Sequence, residues 1–223
     1  MADYLFFDLD GTLTDPYLGI TNSILYALEK MGKPSVPRES LRRFIGPPLI
    51  PAFREFLGMT EEEAETALKF YREYFAERGI FENEPYPGIA DALGDMVGAG
   101  KTLCLATSKP EPFACRILEH FELAPYFSEV CGASLDQSRC AKADVIGELI
   151  RRLGEKTGKT TDEIRRNSLM IGDRCHDAEG AAAFGIPTVG VLWGYGSEEE
   201  LDAAGCIRTV RTTAELAECL IRL

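Results

Sequence analysis

Nowhere among the 223 residues does an apolar run approach the ~20 positions that crossing a bilayer requires. The N-terminus moves straight into a four-residue apolar stretch, with no basic segment and no apolar core of signal-peptide length. The expectation is a cytoplasmic protein with no membrane partner. Cysteine is present but unpatterned: Cys104, Cys115, Cys131, Cys140, Cys175, Cys206 and Cys219 are scattered, odd in number and free of any Cys-x-x-Cys. Neither a zinc site nor a disulfide framework is suggested, and most read as small core residues. Cys175 alone falls inside a motif. Positive charge is also scarce. Lys and Arg number 24 against 36 Asp and Glu, a net charge of −12, which excludes polyanionic partners such as nucleic acid. A small phosphorylated metabolite is not excluded, because a bound cation and a few local ammonium groups can reverse the sign within one cleft. Repeats and low-complexity segments are missing as well. What is there has the make-up of an ordinary globular protein, long enough for one sizeable core and a smaller appendage.

The chain is organised around Asp8-Leu9-Asp10-Gly11-Thr12-Leu13-Thr14-Asp15, preceded by the apolar run Tyr4-Leu5-Phe6-Phe7. Such a run predicts a strand buried on both faces of a parallel sheet. Asp8 and Asp10 then fall just past its carboxyl end, where open α/β sheets place ligands. Two carboxylates this close repel, and a hard oxygen-seeking cation such as Mg²⁺ removes the penalty. An Asp-Gly turn without chemistry accounts for the same residues.

After Pro16 the strand pattern stops for about seventy residues. Ile20, Ile24, Leu28 and Met31 recur at helical spacing; Thr60 and Glu63 form a capping box before the stripe Ala64, Ala67, Leu68, Tyr71 and Phe75. Shorter helices are expected over 38–44 and 49–57. Residues 16–85 thus read as an inserted all-helical cap domain, and residues 1–15 with 86–223 as a catalytic core. In the core, helix and strand alternate as in a doubly wound parallel sheet. Strands are expected at 102–106, 129–131, 168–171 and 188–192, and helices at 90–97, 110–119, 141–153, 178–184, 197–203 and 213–220.

Three further stretches could carry chemistry. Thr107 and Ser108 stand at a strand end before a helix, suited to a phosphate oxygen, although a helix cap by Ser108 explains them equally well. Lys142 opens a helix whose macrodipole disfavours a cation, and Ser138, Arg139, Val145 and Ile146, three and four residues away, offer no carboxylate. Asp173 and Asp177, in Gly172-Asp173-Arg174-Cys175-His176-Asp177, follow an apolar strand and are four apart, so a helical start puts both on one face; plain helix capping is the alternative.

These stretches, in this order, resemble the four motifs of the haloacid dehalogenase-like phosphohydrolases, and the helical insertion resembles the cap of one subgroup. The resemblance implies a Rossmann-like core. It makes Asp8 the nucleophile that becomes an aspartyl-phosphate, and Asp10 the acid/base that also holds Mg²⁺ through its backbone carbonyl. Thr107 would bind the phosphoryl group, Lys142 would neutralise it, and Asp173, supported by Asp177, would ligate Mg²⁺. Members that cleave carbon–halogen or carbon–phosphorus bonds lack the second Asp of the first motif, so Asp10 points to phosphate monoesters. The nearest likeness is to phosphoglycolate phosphatases, including Arg42-Arg43-Phe44-Ile45-Gly46-Pro47-Pro48, where Arg43 could bind a substrate carboxylate. Nucleoside monophosphate phosphatases (5'-nucleotidases) and β-phosphoglucomutase-type mutases remain as alternatives, with a monomer or a homodimer expected.

Overall fold

The computed structural model describes residues 2–136 and 138–223. Their contacts fall into two compact units, one of Met1–Thr14 with Pro85–Leu223, the other of Asp15–Glu84. The chain passes between them at two short strands, β2 (Thr14–Asp15) and β3 (Glu84–Pro85), which form a two-stranded sheet.

The larger unit is built on β1 (Tyr4–Phe7), β4 (Thr102–Pro110), β5 (Phe127–Ala133), β6 (Ser168–Gly172), β7 (Thr188–Val191) and β8 (Arg208–Val210). They form one sheet in the order β5-β4-β1-β6-β7-β8, every pairing parallel. β1, β6 and β7 are buried at every position, as expected of strands covered on both faces. Successive side chains alternate between the faces. Tyr4 and Phe6 therefore join Cys104, Ala106, Cys131 and Met170 in one layer, onto which Val145, Ile146, Leu149, Ile150 and Leu153 pack. Those five come from α6 (Lys142–Thr157), where their spacing makes one stripe. Burying each is worth about 1.5–3 kcal/mol, and together they fix the helix that begins with Lys142.

The remaining helices of this unit are α4 (Ile89–Gly98), α5 (Glu111–His120), α7 (Thr161–Arg166), α8 (Cys175–Ala182), α9 (Glu198–Ala203) and α10 (Thr213–Arg222). In the helical unit, α1 (Tyr17–Lys30) packs on α3 (Glu61–Tyr74) beside α2 (Leu49–Leu57). The expected capping box opens α3: Glu63 N–H donates to Thr60 Oγ1 at 3.2 Å and Thr60 N–H to Glu63 Oε2 at 2.9 Å.

The structure corrects several expectations. Residues 38–44 form a 3-10 helix. Sequence reading misses β8 and α7, although α7 carries its own capping box, Thr160 with Glu163. β4 runs on to Pro110, with a register shift against β5 after Thr107, so Thr107 and Ser108 lie within the strand. Ser108 does not cap α5: the cap position is Pro110, and no side chain bonds there. α8 starts at Cys175, three residues earlier than the pattern implies but still after Asp173, which therefore does not share a helical face with Asp177. Among the described residues no helix is long and apolar enough to cross a membrane.

Candidate active site

β1 sits between β4 and β6 in matching register, so that Phe7 faces Leu105 on one side and Ile171 on the other. The chain leaves β1 at Asp8, whose N–H donates to Ile171 O at 2.9 Å. Asp8, Thr107 and Asp173 therefore emerge together at the carboxyl edge, where the strand order reverses and open α/β sheets bind ligands. All three are buried, as is Asp177 in the first turn of α8. Carboxylate oxygens of Asp8, Asp173 and Asp177 lie within 4.8 Å of one another.

One ammonium stands among them. Lys142 Nζ is 2.8 Å from Asp8 Oδ1 and 2.8 Å from Asp177 Oδ1, and it donates to Ala106 O at 3.0 Å. Three acceptors match the three protons of an ammonium group. This answers why a lysine tolerates the start of α6: its counter-charges come from β1 and α8, not from its own helix. Burial works against the charged form, but Asp177 and Asp8 outweigh it and hold the Lys142 pKa above the ordinary lysine range. Its aliphatic stem passes α8 at Gly180, where a Cβ would lie 2.7 Å from Lys142 Cγ.

Asp173 is clamped. Thr12 Oγ1–H donates to its Oδ1 at 3.3 Å and Tyr195 N–H to its Oδ2 at 2.7 Å. Trp193 Nε1–H in turn donates to Thr12 O at 3.0 Å, tying the loop after β7 to the first motif. The Tyr195 amide makes the stretch Trp193-Gly194-Tyr195-Gly196 part of the site's support. Gly11 completes the cradle: its φ of 85° suits glycine, and a Cβ there would meet Asp173 Oδ2 at 2.3 Å. Burial drives the Asp173 pKa well above the carboxylate range, with Asp177 and Asp8 adding to it. Asp177 is raised by burial too, against the pull of Lys142. Its Oδ2 also accepts the Arg174 N–H at 3.1 Å, so Asp177 caps α8 while its other oxygen faces Lys142.

Asp10 stands apart from this trio. Its Oδ2 is 2.7 Å from the ammonium of Lys109, a buried cation that sequence reading did not single out. Burial raises the Asp10 pKa, opposed chiefly by Lys109. Lys109 N–H also donates to Thr107 Oγ1 at 3.2 Å. Ser108 is half-buried, without a contact that marks it for the site. Arg43 belongs to the helical unit, where it is exposed, donates to Phe56 O at 2.9 Å and lies 4.5 Å from the Phe56 ring.

Three clustered carboxylates share one ammonium, an excess of negative charge that burial makes costly. The Oδ1 atoms of Asp8 and Asp177 are buried and both face the Lys142 ammonium. An all-oxygen donor set with that charge excess fits a hard divalent cation.

Comparison with known proteins finds a family model and several relatives. Residues 5–191 match the model of a family described as haloacid dehalogenase-like hydrolase. A 5'-nucleotidase of Pseudomonas aeruginosa is 43% identical over 199 residues, 89% of this chain and 86% of the relative. Tyrosine-protein kinase PtkA of Mycobacterium tuberculosis is 39% identical over 216 residues, 96% of this chain and 71% of the relative. A phosphoglycolate phosphatase of Escherichia coli is 31% identical over 229 residues, 88% of this chain and 83% of the relative. The crystal structure of a predicted phosphatase from Clostridium acetobutylicum is similar with a TM-score of 0.91 at 41% identity, covering 100% of both chains.

Proposed function

The chain belongs to the haloacid dehalogenase-like hydrolases and is a phosphoric monoester hydrolase among them, and we propose that it works through an aspartyl-phosphate on Asp8 with Mg²⁺ as its cation. The observation that carries this reading is the bridging of Asp8 and Asp177 by Lys142, with carboxylate oxygens of Asp8, Asp173 and Asp177 within 4.8 Å of one another. Asp8, Asp173 and the backbone carbonyl of Asp10 would hold Mg²⁺, with Asp177 in support. Bound there, the ion supplies positive charge against the repulsion between a carboxylate nucleophile and a phosphate dianion.

The chain's own groups then divide the work. The Asp8 carboxylate attacks phosphorus, forming an O–P bond as the ester P–O bond breaks. Lys142 pairs with Asp8 and offers charge to the phosphoryl oxygens, and the Thr107 hydroxyl donates to one of them. Asp10, whose raised pKa suits a proton carrier, protonates the leaving alcohol and then takes a proton from the water that hydrolyses the aspartyl-phosphate. Lys109 orients Asp10 for both transfers. The helical unit would select the leaving group, with Arg43 its candidate contact.

Of the substrates considered, nucleoside 5'-monophosphates rank ahead of phosphoglycolate, because the relative of that activity shares more of the sequence, 43% against 31%. The deciding assay is phosphate release from nucleoside monophosphates, phosphoglycolate and hexose phosphates, with and without Mg²⁺, alongside Asp8→Asn. Cation-dependent release that disappears in Asp8→Asn is expected. Conversion of β-glucose 1-phosphate only when glucose 1,6-bisphosphate is supplied would instead make it a mutase. Transfer of label from ATP to peptide tyrosine without phosphatase turnover would favour the activity for which PtkA is named.

A further inference from the structure

Beside the oxygen cluster lies a second, chemically different one. Cys175, His176 and Glu179 stand within the first five residues of α8, and their Sγ, imidazole and carboxylate atoms lie within 4.8 Å of one another. Cys175 Sγ is 3.8 Å from His176 Nδ1, which is 3.7 Å from Glu179 Oε2. A tetrahedral zinc ion, with Zn–S near 2.3 Å and Zn–N and Zn–O near 2.0–2.2 Å, sets ligand atoms about 3.4–3.6 Å apart. The Cys175–His176 and His176–Glu179 separations are each within a few tenths of an ångström of that spacing.

We propose that Cys175, His176 and Glu179 form a binding site for a borderline-soft divalent cation of the zinc class, separate from the cation site of Asp8, Asp173 and Asp177. The donor chemistry divides the two. Thiolate and imidazole favour zinc over magnesium, whereas the all-carboxylate cluster favours the hard ion. Access favours it as well: His176 and Glu179 side chains are 42% and 65% exposed and Cys175 is half-buried, so an ion can enter without opening the core. Three protein ligands leave the fourth position to water. All three stand on one helix, so the site does not depend on how the two units are arranged. The absence of a Cys-x-x-Cys pattern hid it, because two of the three ligands are not cysteines.

Binding exchanges the thiol proton of Cys175 for the metal–sulfur bond and releases it to solvent.

Cobalt(II) is the probe, since only a sulfur-ligated ion gives the intense ultraviolet thiolate-to-cobalt charge-transfer band. The carboxylate cluster cannot produce it, so the test is independent of any phosphatase activity. The full-length protein, with Mg²⁺ in excess, is titrated with Co²⁺ and then with Zn²⁺. The expected result is a band that saturates at one ion per chain, is bleached by equimolar Zn²⁺, and is lost in Cys175→Ser. In His176→Ala and Glu179→Gln, both at exposed positions where the fold is retained, the expected result is a band that saturates only at higher cobalt. No band in the wild-type protein overturns the proposal. So does a band that survives Cys175→Ser, which would assign it to another of the seven cysteines. A titration unchanged by both His176→Ala and Glu179→Gln would also overturn it.

Discussion

Lys142 shows how one buried charge can be asked to satisfy two aspartates. Asp8 and Asp177 are nearly inaccessible and each 2.8 Å from its ammonium, so removing that ammonium leaves two carboxylates facing each other without a counter-ion. Breaking a buried pair costs about 3–5 kcal/mol. Lys142→Met should lose roughly that much in urea unfolding without divalent cation, recover part of it when Mg²⁺ is added, and release no phosphate. A variant as stable as the wild type would mean that the two aspartates are not both charged. Lys142 could be picked out in the sequence because a lysine opening a helix without a carboxylate nearby in sequence is locally unfavourable. Its partners could not, since Asp8 and Ala106 are distant along the chain. Lys109 escaped notice because Lys-Pro reads as a turn. The signal that could have found it is strand alternation: once β4 runs past Thr107, residues 107 and 109 share a side, and both are buried. Lys109→Met, which leaves Asp10 buried without its ammonium, should lower kcat while changing KM little, measured as steady-state phosphate release.

Between elements, α8 and α6 meet where Gly180 lies against the Lys142 stem. In an exposed helix interior, alanine in place of glycine gains about 0.8–1 kcal/mol. Here the new Cβ would come within 2.7 Å of Lys142 Cγ and 3.0 Å of Ala143 N, so the contact with backbone outweighs the propensity gain. Gly180→Ala should fold yet lose at least about tenfold in kcat, as Lys142 is displaced from Asp8. Retained activity together with a higher melting temperature would show that α6 shifts freely, and the tight packing assigned to this contact would be wrong. At this scale the sequence is most readable where periodicity is long, as in α1, α3 and α6, and least where elements are short. β8 has three residues and α7 six, too few for a hydrophobic period, and only the Thr160–Glu163 capping box marked α7. The start of α8 was misplaced because its first turn is polar and shows no apolar period at all.

Over the whole molecule, the net charge of −12 and the buried carboxylates mean that the proposed cation, once bound, would add to the fold's stability. At a cation concentration about a hundred times Kd, the gain is about 2.7 kcal/mol, or roughly 5–10 °C in Tm for a chain of this size. Mg²⁺ should raise Tm by that order, and Asp173→Asn should abolish the shift, both read by calorimetry. The sign of the pH dependence follows from Asp173. Its folded pKa lies well above the unfolded 3.8, so the metal-free folded state holds a proton that the unfolded state has released. That contribution weakens as pH rises from 3.8 through the raised value, where the ionised carboxylate is left buried. The Tm gain from Mg²⁺ should therefore grow with pH, and a gain that shrinks toward pH 8 would contradict the raised pKa. The matched register of β4, β1 and β6 has a consequence of another kind, for which changes in length the protein can absorb. Side chains alternate along a strand, so one residue added within β1, β4 or β6 moves everything beyond it by about 3.3 Å and turns it to the opposite face. The spacings from Tyr4 to Asp8, Thr102 to Thr107 and Ser168 to Asp173 are thus fixed counts, set by partner strands that begin level with one another. Loops between the strands that carry no site residue have no such count, and the chain can lengthen there while these three spacings stay unchanged.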